Sequence, residues 1–442
     1  MARGSARART SRRTLLIVSI VVAACVVLAA GGFVSWVVIG MAVDSAKGKP
    51  DTTPVAAAAD APAAGERHAL YSLGHTSATL PISVPAPGVV EERVPFIPSV
   101  DATRYRLVIR NLDYRGDQMI ANPVQVNAVY LGKQGAEKGS FDGAATARLS
   151  AGGKLTDGKA LVTDWFDASA VPMTAGTSYL LGVSFSAPTS TQIGVSPAVA
   201  WVRSGVANGP MTTQANRGQF TLQGGYLDIA VEYAFDDPEH KIPVVSVLGH
   251  SLNAGANQKV SHEGEISSWH QQWARQNGGV ASSLAAAGSW TSNFLPDSPK
   301  WQLAPEIDAD YVAVWASSSD LVAGTSVNDV GAAWVALVGK AQQEWPNAKI
   351  IAFTEPPRGA EGEGEEARNQ WNAFLRTSPS QVACVVDVDR AVADPADPHV
   401  LNPKYNGDGS HMTPAGNAYV AELFQEALSR LNNGESCLSA AP

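Results

Sequence analysis

Lys241–Gly255, KIPVVSVLGHSLNAG, decides how this chain is read. Ile242 to Leu248 is apolar and rich in β-branched residues, and Gly249 breaks the run. A run of this kind, closed by glycine, reads as a buried strand. His250, Ser251, Leu252, Asn253 and Ala254 follow. A serine therefore stands at the start of the turn after the strand, where open α/β folds hold their ligands. On this stretch alone, an ordinary polar turn accounts for the same residues.

The segment Tyr405–Leu428, YNGDGSHMTPAGNAYVAELFQEAL, changes the balance. Asp408 and His411 lie three apart in a Gly-rich loop ahead of an amphipathic helix. A serine hydroxyl needs a base to lose its proton, and neutral imidazole suits that task. The imidazole needs a carboxylate to set its tautomer and stabilise its charged form. One short Asp-x-x-His loop can offer both groups to a distant serine.

Strand and helix patterns alternate between these two ends. Trp269–Gln276 and Val280–Ala287 read as helical or turn-like, with Gly278-Gly279 between them. Tyr311–Trp315 reads as a strand and Val327–Trp345 as a helix stopped by Pro346. Ala348–Phe353 is a strand, Glu365–Thr377 a helix, Val382–Val388 a strand and Ala415–Leu431 the closing helix. This rhythm predicts a parallel sheet with helices on both faces.

At these residues the chain resembles the SGNH (GDSL-type) hydrolase family. Gly249-His250-Ser251-Leu252 is similar to its first block and Asp408-Gly409-Ser410-His411 to its last. Ala287-Gly288-Ser289 resembles the second block, and Ser317-Ser318-Ser319-Asp320 stands where the third is expected. Val385–Asp389 and Asp394–Pro398 are similar to actinobacterial members. The resemblance covers about Ile242 to Leu431. It implies a three-layer α/β fold, a catalytic triad of Ser251, His411 and Asp408, and no cofactor. It also implies an oxyanion hole from Ser251, Gly288 and Ser319. Two positions depart from the family pattern: His250 replaces the usual Asp, and Ser319 replaces the usual Asn. A serine hydroxyl donates with a shorter reach. His250 reads as a solvated turn residue, a donor to the loop, or, with Asn253, a substrate contact. Three functions stay open: an ester hydrolase, an inactive SGNH-like protein that binds glycan or a partner, and an O-acyltransferase using the same triad.

The chain has 442 residues, of which 45% are hydrophobic and 17% charged, enough for more than one core. Five arginines, from Arg3 to Arg13, precede an uncharged apolar run, Leu15–Met41. That run is long enough to cross a bilayer, so residues 1–41 predict an uncleaved membrane anchor with the rest of the chain outside. This location points to acylated glycans or lipids of the cell envelope as ester substrates. Removing the five arginines from the net charge of −9 leaves −14 on the remainder. A surface that acidic disfavours nucleic acid as a partner. Residues 42–68 are an Ala/Pro-rich linker.

Residues 69–235 read as an all-β sandwich. Tyr105–Arg110, Val124–Tyr130, Tyr179–Phe185 and Tyr226–Tyr233 alternate in polarity between turn-forming clusters. A similar β-domain precedes the hydrolase domain in some relatives. Trp165 and Trp201 are candidates either for sugar stacking or for the core. Asp236-Asp237-Pro238 marks the boundary to the α/β domain, 241–434, and 435–442 is a tail. In an oxidising location Cys384 and Cys437 are expected to form a disulfide tying this tail to the last strand. His262, His270 and His399 have no ligand spacing with the cysteines, so no metal site is expected.

Overall fold

A computed structural model of the chain describes residues 63–438 except 76–77, 82–87, 113–118, 122, 144–146, 151, 156–158, 170, 189, 206–216, 255–263 and 360–361. The run quoted first is strand β1 (Val244–Gly249). Four more strands pair in parallel around it: β2 (Val280–Ser283), β3 (Tyr311–Trp315), β4 (Lys349–Phe353) and β5 (Cys384–Val386). Their spatial order is β2-β1-β3-β4-β5. The order reverses between β1 and β3. The crevice outside the carboxyl ends of those two strands is where a doubly wound sheet takes its ligand.

Helices cover both faces of this sheet. Val245, Val247, Trp315 and Phe353 pack with Trp269 and Trp273 of α1 (Trp269–Asn277). Helices α2 (Ser318–Val322), α3 (Val327–Glu344), α4 (Glu363–Arg376), α5 (Val388–Val392) and α6 (Pro414–Asn432) follow. Phe424 of α6 closes the first face, its ring centroid 5.0 Å from Trp269 and 5.2 Å from Trp273. On the opposite face Val244, Val312, Val314 and Ile350 pack in a cluster with Trp334 of α3 and Trp371 of α4. Strands buried on both sides have to be apolar throughout, which is why β1 reads as a continuous apolar run.

Two sequence expectations change here. Val280–Ala287 begins with strand β2 instead of a helix. Its four residues are all buried, and so short a run carries no period to tell strand from helix. Tyr226–Tyr233 is not one strand. Thr221–Tyr226 belongs to one sheet and Asp228–Asp236 to another, with Leu227 at φ 61° between them.

The N-terminal β-rich region consists of two antiparallel sheets. One contains Glu66–Gly74, Asp228–Asp236 and Arg104–Arg110; the other is built on Gln192–Gly205, Val89–Phe96, Tyr179–Ser186 and Val124–Lys133. Their buried side chains and one face of the parallel sheet form a single hydrophobic cluster. The first strand also lies against β2, where Leu70 N donates to Ser282 Oγ at 2.9 Å. Arg67, 3% exposed, donates to Asp237, Asp310 and the carbonyls of Ile242 and Asp308. Trp165 and Trp201 are 3% and 8% exposed, under the guanidinium groups of Arg104 and Arg217. They are covered core aromatics and offer no open face for a sugar.

The single-pass membrane location expected from the apolar run is corrected. Among the described residues no helix is long and apolar enough to cross a membrane. Leu15–Met41 itself lies outside the described residues, as does most of the 42–68 linker.

Cys384 of β5 and Cys437, five residues beyond α6, are joined by a disulfide with Cα atoms 5.5 Å apart. It closes a loop spanning 53 residues, which limits the unfolded chain. Cys437→Ser is expected to lower stability by about 2–4 kcal/mol in denaturant unfolding of the full chain. A change below about 0.5 kcal/mol would show that the tail adds nothing to the fold.

Candidate active site

Ser251 begins the turn after β1 and is 8% exposed. Its approach is fixed by Gly249, which holds φ 143° where the chain passes the carbonyl of Trp315. His250 N donates back to that carbonyl at 3.3 Å, and Asn253 Nδ2 donates to it at 2.9 Å. The turn is thus tied to the end of β3 on the other side of the switch point.

The loop before α6 meets it from far along the sequence. The hydroxyl of Ser251 donates to His411 Nε2 at 2.8 Å, across 160 positions. His411 Nδ1 donates to Asp408 Oδ2 at 3.0 Å. Asp408 also accepts from the backbone N–H groups of Ser410 (3.0 Å) and His411 (2.7 Å), and Gly409 turns the chain at φ 91°. Thr413 caps α6 by accepting from Gly416 N at 3.2 Å, with Pro414 at the first helical position. Burial by itself would raise the Asp408 pKa. The hydrogen bond and charge of His411 outweigh it and hold the carboxyl well below the usual carboxylate range. Asp408 is ionised wherever imidazole is neutral, as a partner for that imidazole must be.

Gly288 lies in the loop after β2 and Ser319 in the first turn of α2, just after β3; β2 and β3 flank β1. Among the described residues, the N–H groups of Ser251 and Gly288 and the hydroxyl of Ser319 donate to no protein acceptor. Asp320 of α2 ties these two segments together by accepting from Thr291 N at 2.8 Å and Thr291 Oγ1 at 3.0 Å. Burial raises its pKa against those bonds.

His250 is not a solvated turn residue, and both it and Asn253 are enclosed by protein. Both are 0% exposed. Asn253 is used up by Trp315 O and by Trp269 Nε1, which donates to its Oδ1 at 2.8 Å. Leu252 N donates to His250 Nδ1 at 3.4 Å, so the proton sits on Nε2, which donates to Glu355 Oε2 at 3.1 Å. Burial lowers the His250 pKa and Glu355 opposes it; the net direction is down. A buried neutral histidine tied to a carboxylate thus stands where the family pattern has Asp.

Sequence reading missed Glu355. Its Oε1 accepts from Ser317 N at 2.8 Å, so one carboxylate joins the loops after β1, β3 and β4. Asn372 of α4 clamps its backbone from both sides, at 2.7 and 2.8 Å, and Arg368 donates to its carbonyl at 3.1 Å. The available signal was an acid followed by two prolines at the end of a strand pattern.

His68, Glu232 and Glu306 bring three possible metal-ligand atoms within 4.8 Å of one another. Arg106 already lies on both carboxylates, at 2.7 and 3.4 Å, and Arg104 abuts His68 at 3.5 Å. Two guanidinium groups supply the positive charge a metal would bring.

Residues 247–419 match the GDSL-like lipase/acylhydrolase family. Among solved structures, the chain is similar to an active-site mutant of a family two carbohydrate esterase from Clostridium thermocellum (12% identity, TM-score 0.37, 82% of this chain and 98% of that chain). It is similar to a family two carbohydrate esterase from Cellvibrio japonicus (11% identity, TM-score 0.35, 83% and 99%). It is also similar to a salicylyl-acyltransferase from a tetracycline biosynthetic pathway (17% identity, TM-score 0.33, 78% and 82%). No curated protein matches the chain. The matched residues 247–419 run from the end of the first parallel strand, through the turn that carries Ser251, to the Asp-x-x-His loop and the helix after it, and over them the chain is similar to the GDSL-like lipase/acylhydrolase family.

Proposed function

We propose that this chain is a serine ester hydrolase. The observation that carries the reading is the relay from Ser251 through His411 to Asp408, with bonds of 2.8 and 3.0 Å. His411 takes the Ser251 proton as Oγ attacks the ester carbonyl. Asp408 keeps the Nδ1–H tautomer and stabilises the imidazolium that forms. The N–H groups of Ser251 and Gly288, with the Ser319 hydroxyl, hold the developing oxyanion. The tetrahedral intermediate collapses to an acyl-enzyme, and the alcohol leaves with the proton from His411. Water then attacks the acyl carbon, with His411 again as base, and returns Ser251.

Transfer to another alcohol uses the same residues. Hydrolysis is the better reading because the side chains of His411 and Asp408 are 23% and 34% exposed, which lets water reach the acyl-enzyme. The intact relay also speaks against an inactive binding protein. The envelope substrates inferred earlier depended on the membrane location and fall with it.

The test is release of 4-nitrophenol from 4-nitrophenyl acetate by the full chain. Turnover is expected for wild type and none above background for Ser251→Ala. Equal rates in the two proteins would remove Ser251 from the chemistry.

A further inference from the structure

Arg358 follows Glu355 by three residues, in the loop after β4 at the carboxyl edge of the sheet. Its Nε and Nη2 atoms are sealed from solvent and bond to no group among the described residues. Unpaired guanidinium N–H groups are costly to bury. Arg110 and Arg368, both buried, avoid that cost: Arg110 ends on Asp228 and Arg368 on Glu365 and Asp389. Burial lowers the Arg358 pKa, opposed by the nearby charges of Glu355 and Asp408. Arg358 in turn weighs against the protonated form of His250, the residue before the nucleophile.

Balancing those two carboxylates does not account for it. Glu355 already accepts from Ser317 N and His250 Nε2. Asp408 accepts from Ser410 N, His411 N and His411 Nδ1. Nε and Nη2 form the side-on edge of a guanidinium, whose two parallel N–H groups match the two oxygens of a carboxylate. The chain as a whole carries −9, a field that repels an acidic substrate. Binding one would require a specific cation beside the reacting groups.

We propose that Arg358 is a specificity-determining residue that receives a carboxylate carried by the ester substrate, so that the preferred substrates are acidic esters. This rests on the ester chemistry at Ser251. The carboxylate can lie on the acyl side, as in a half-ester of a dicarboxylic acid, or on the alcohol side, as in an esterified hydroxy acid.

Three esters separate these cases: 4-nitrophenyl acetate is neutral, 4-nitrophenyl hemisuccinate carries its carboxylate on the acyl side, and 4-acetoxybenzoate carries it on the alcohol side. In Arg358→Gln, kcat/KM is expected to fall about 10- to 100-fold further on one of the acidic esters than on the neutral one. Arg358→Lys should recover part of that difference, since it restores the charge but not the fork. The ester that shows the extra loss identifies the side. Equal losses on all three, or no loss, would overturn the proposal by leaving Arg358 a support of the loop or a bystander.

A second measurement does not depend on turnover. Monomethyl succinate and 4-hydroxybenzoate are titrated calorimetrically into Ser251→Ala and into Ser251→Ala/Arg358→Gln. At least one should bind tenfold or more tighter when Arg358 is present. Equal binding of both overturns the proposal. Arg358-dependent binding without hydrolysis of any ester would instead sink the ester reading of Ser251 and leave the carboxylate site standing.

Discussion

His411→Ala is expected to reduce ester turnover by at least about 10⁴-fold while the fold stays intact. The serine hydroxyl is a weak nucleophile until a base takes its proton. His411 Nε2, 2.8 Å from Ser251 Oγ, is the base within reach of it. Asp408 cannot substitute, because it is engaged on the far side of the imidazole and by two backbone N–H groups. What survives comes from the oxyanion donors and substrate binding. The side chain is 23% exposed on a surface loop, so its loss should change stability by less than about 1 kcal/mol. The measurement is kcat/KM for 4-nitrophenyl acetate beside an unfolding curve for each protein. A rate within tenfold of wild type would show that another group accepts the proton and that the relay is not the catalytic one.

Gly249→Ala is expected to be the most damaging small substitution near the site. Glycine holds φ 143° there, a conformation L side chains rarely adopt. An added Cβ would stand 1.8 Å from Trp315 O, 2.5 Å from Trp315 C and 2.7 Å from Asn253 Nδ2. Two of those atoms are backbone of β3, which cannot swing aside as a flexible side chain could. Gly249 is the residue paired with Trp315 at the end of the β1–β3 ladder. The methyl therefore forces these strands apart at the switch point and carries Ser251 with them. A loss of more than about 4 kcal/mol, or failure to recover folded chain, is expected from strain and overpacking together. Denaturant unfolding followed by circular dichroism reads it. A cost under about 1 kcal/mol would mean that the two strands do not approach this closely.

The legible parts of this chain are those with a local cause. β1 announces itself because burial on both faces makes it apolar and β-branched without interruption. The start of α6 is written as Thr413-Pro414, a capping hydroxyl followed by the residue preset for a first helical turn. Ser251, Asp408 and His411 could be picked out because the turn after a strand and a Gly-rich loop before a helix are local features. The Cys384–Cys437 bridge followed from two cysteines near the ends of the last strand and the tail. β2 was missed because four buried residues contain no period. The break at Leu227 was missed because a strand that ends in one sheet and restarts in another keeps its alternation through the corner.

Identity and spacing cannot say which buried polar groups meet. His250 reads as a turn residue, yet burial against Glu355 makes it a brace between two loops 105 positions apart. Asn253 looks available to substrate until Trp269 and Trp315 consume its amide. Arg358 is one arginine among many in the sequence, and its unpaired N–H groups exist only because packing seals them. The apolar N-terminal run suggested a membrane location that no helix among the described residues carries. By itself the sequence determined the alternation of strands and helices, the apolar faces and the candidate residues Ser251, Asp408 and His411, because each depends on neighbours a few positions away. The tertiary structure alone decided the β2-β1-β3-β4-β5 order, the meeting of Ser251 with His411 across 160 positions, and pairings of buried polar groups such as His250 with Glu355. Those contacts arise from chain segments far apart in sequence, where no local period or propensity records them.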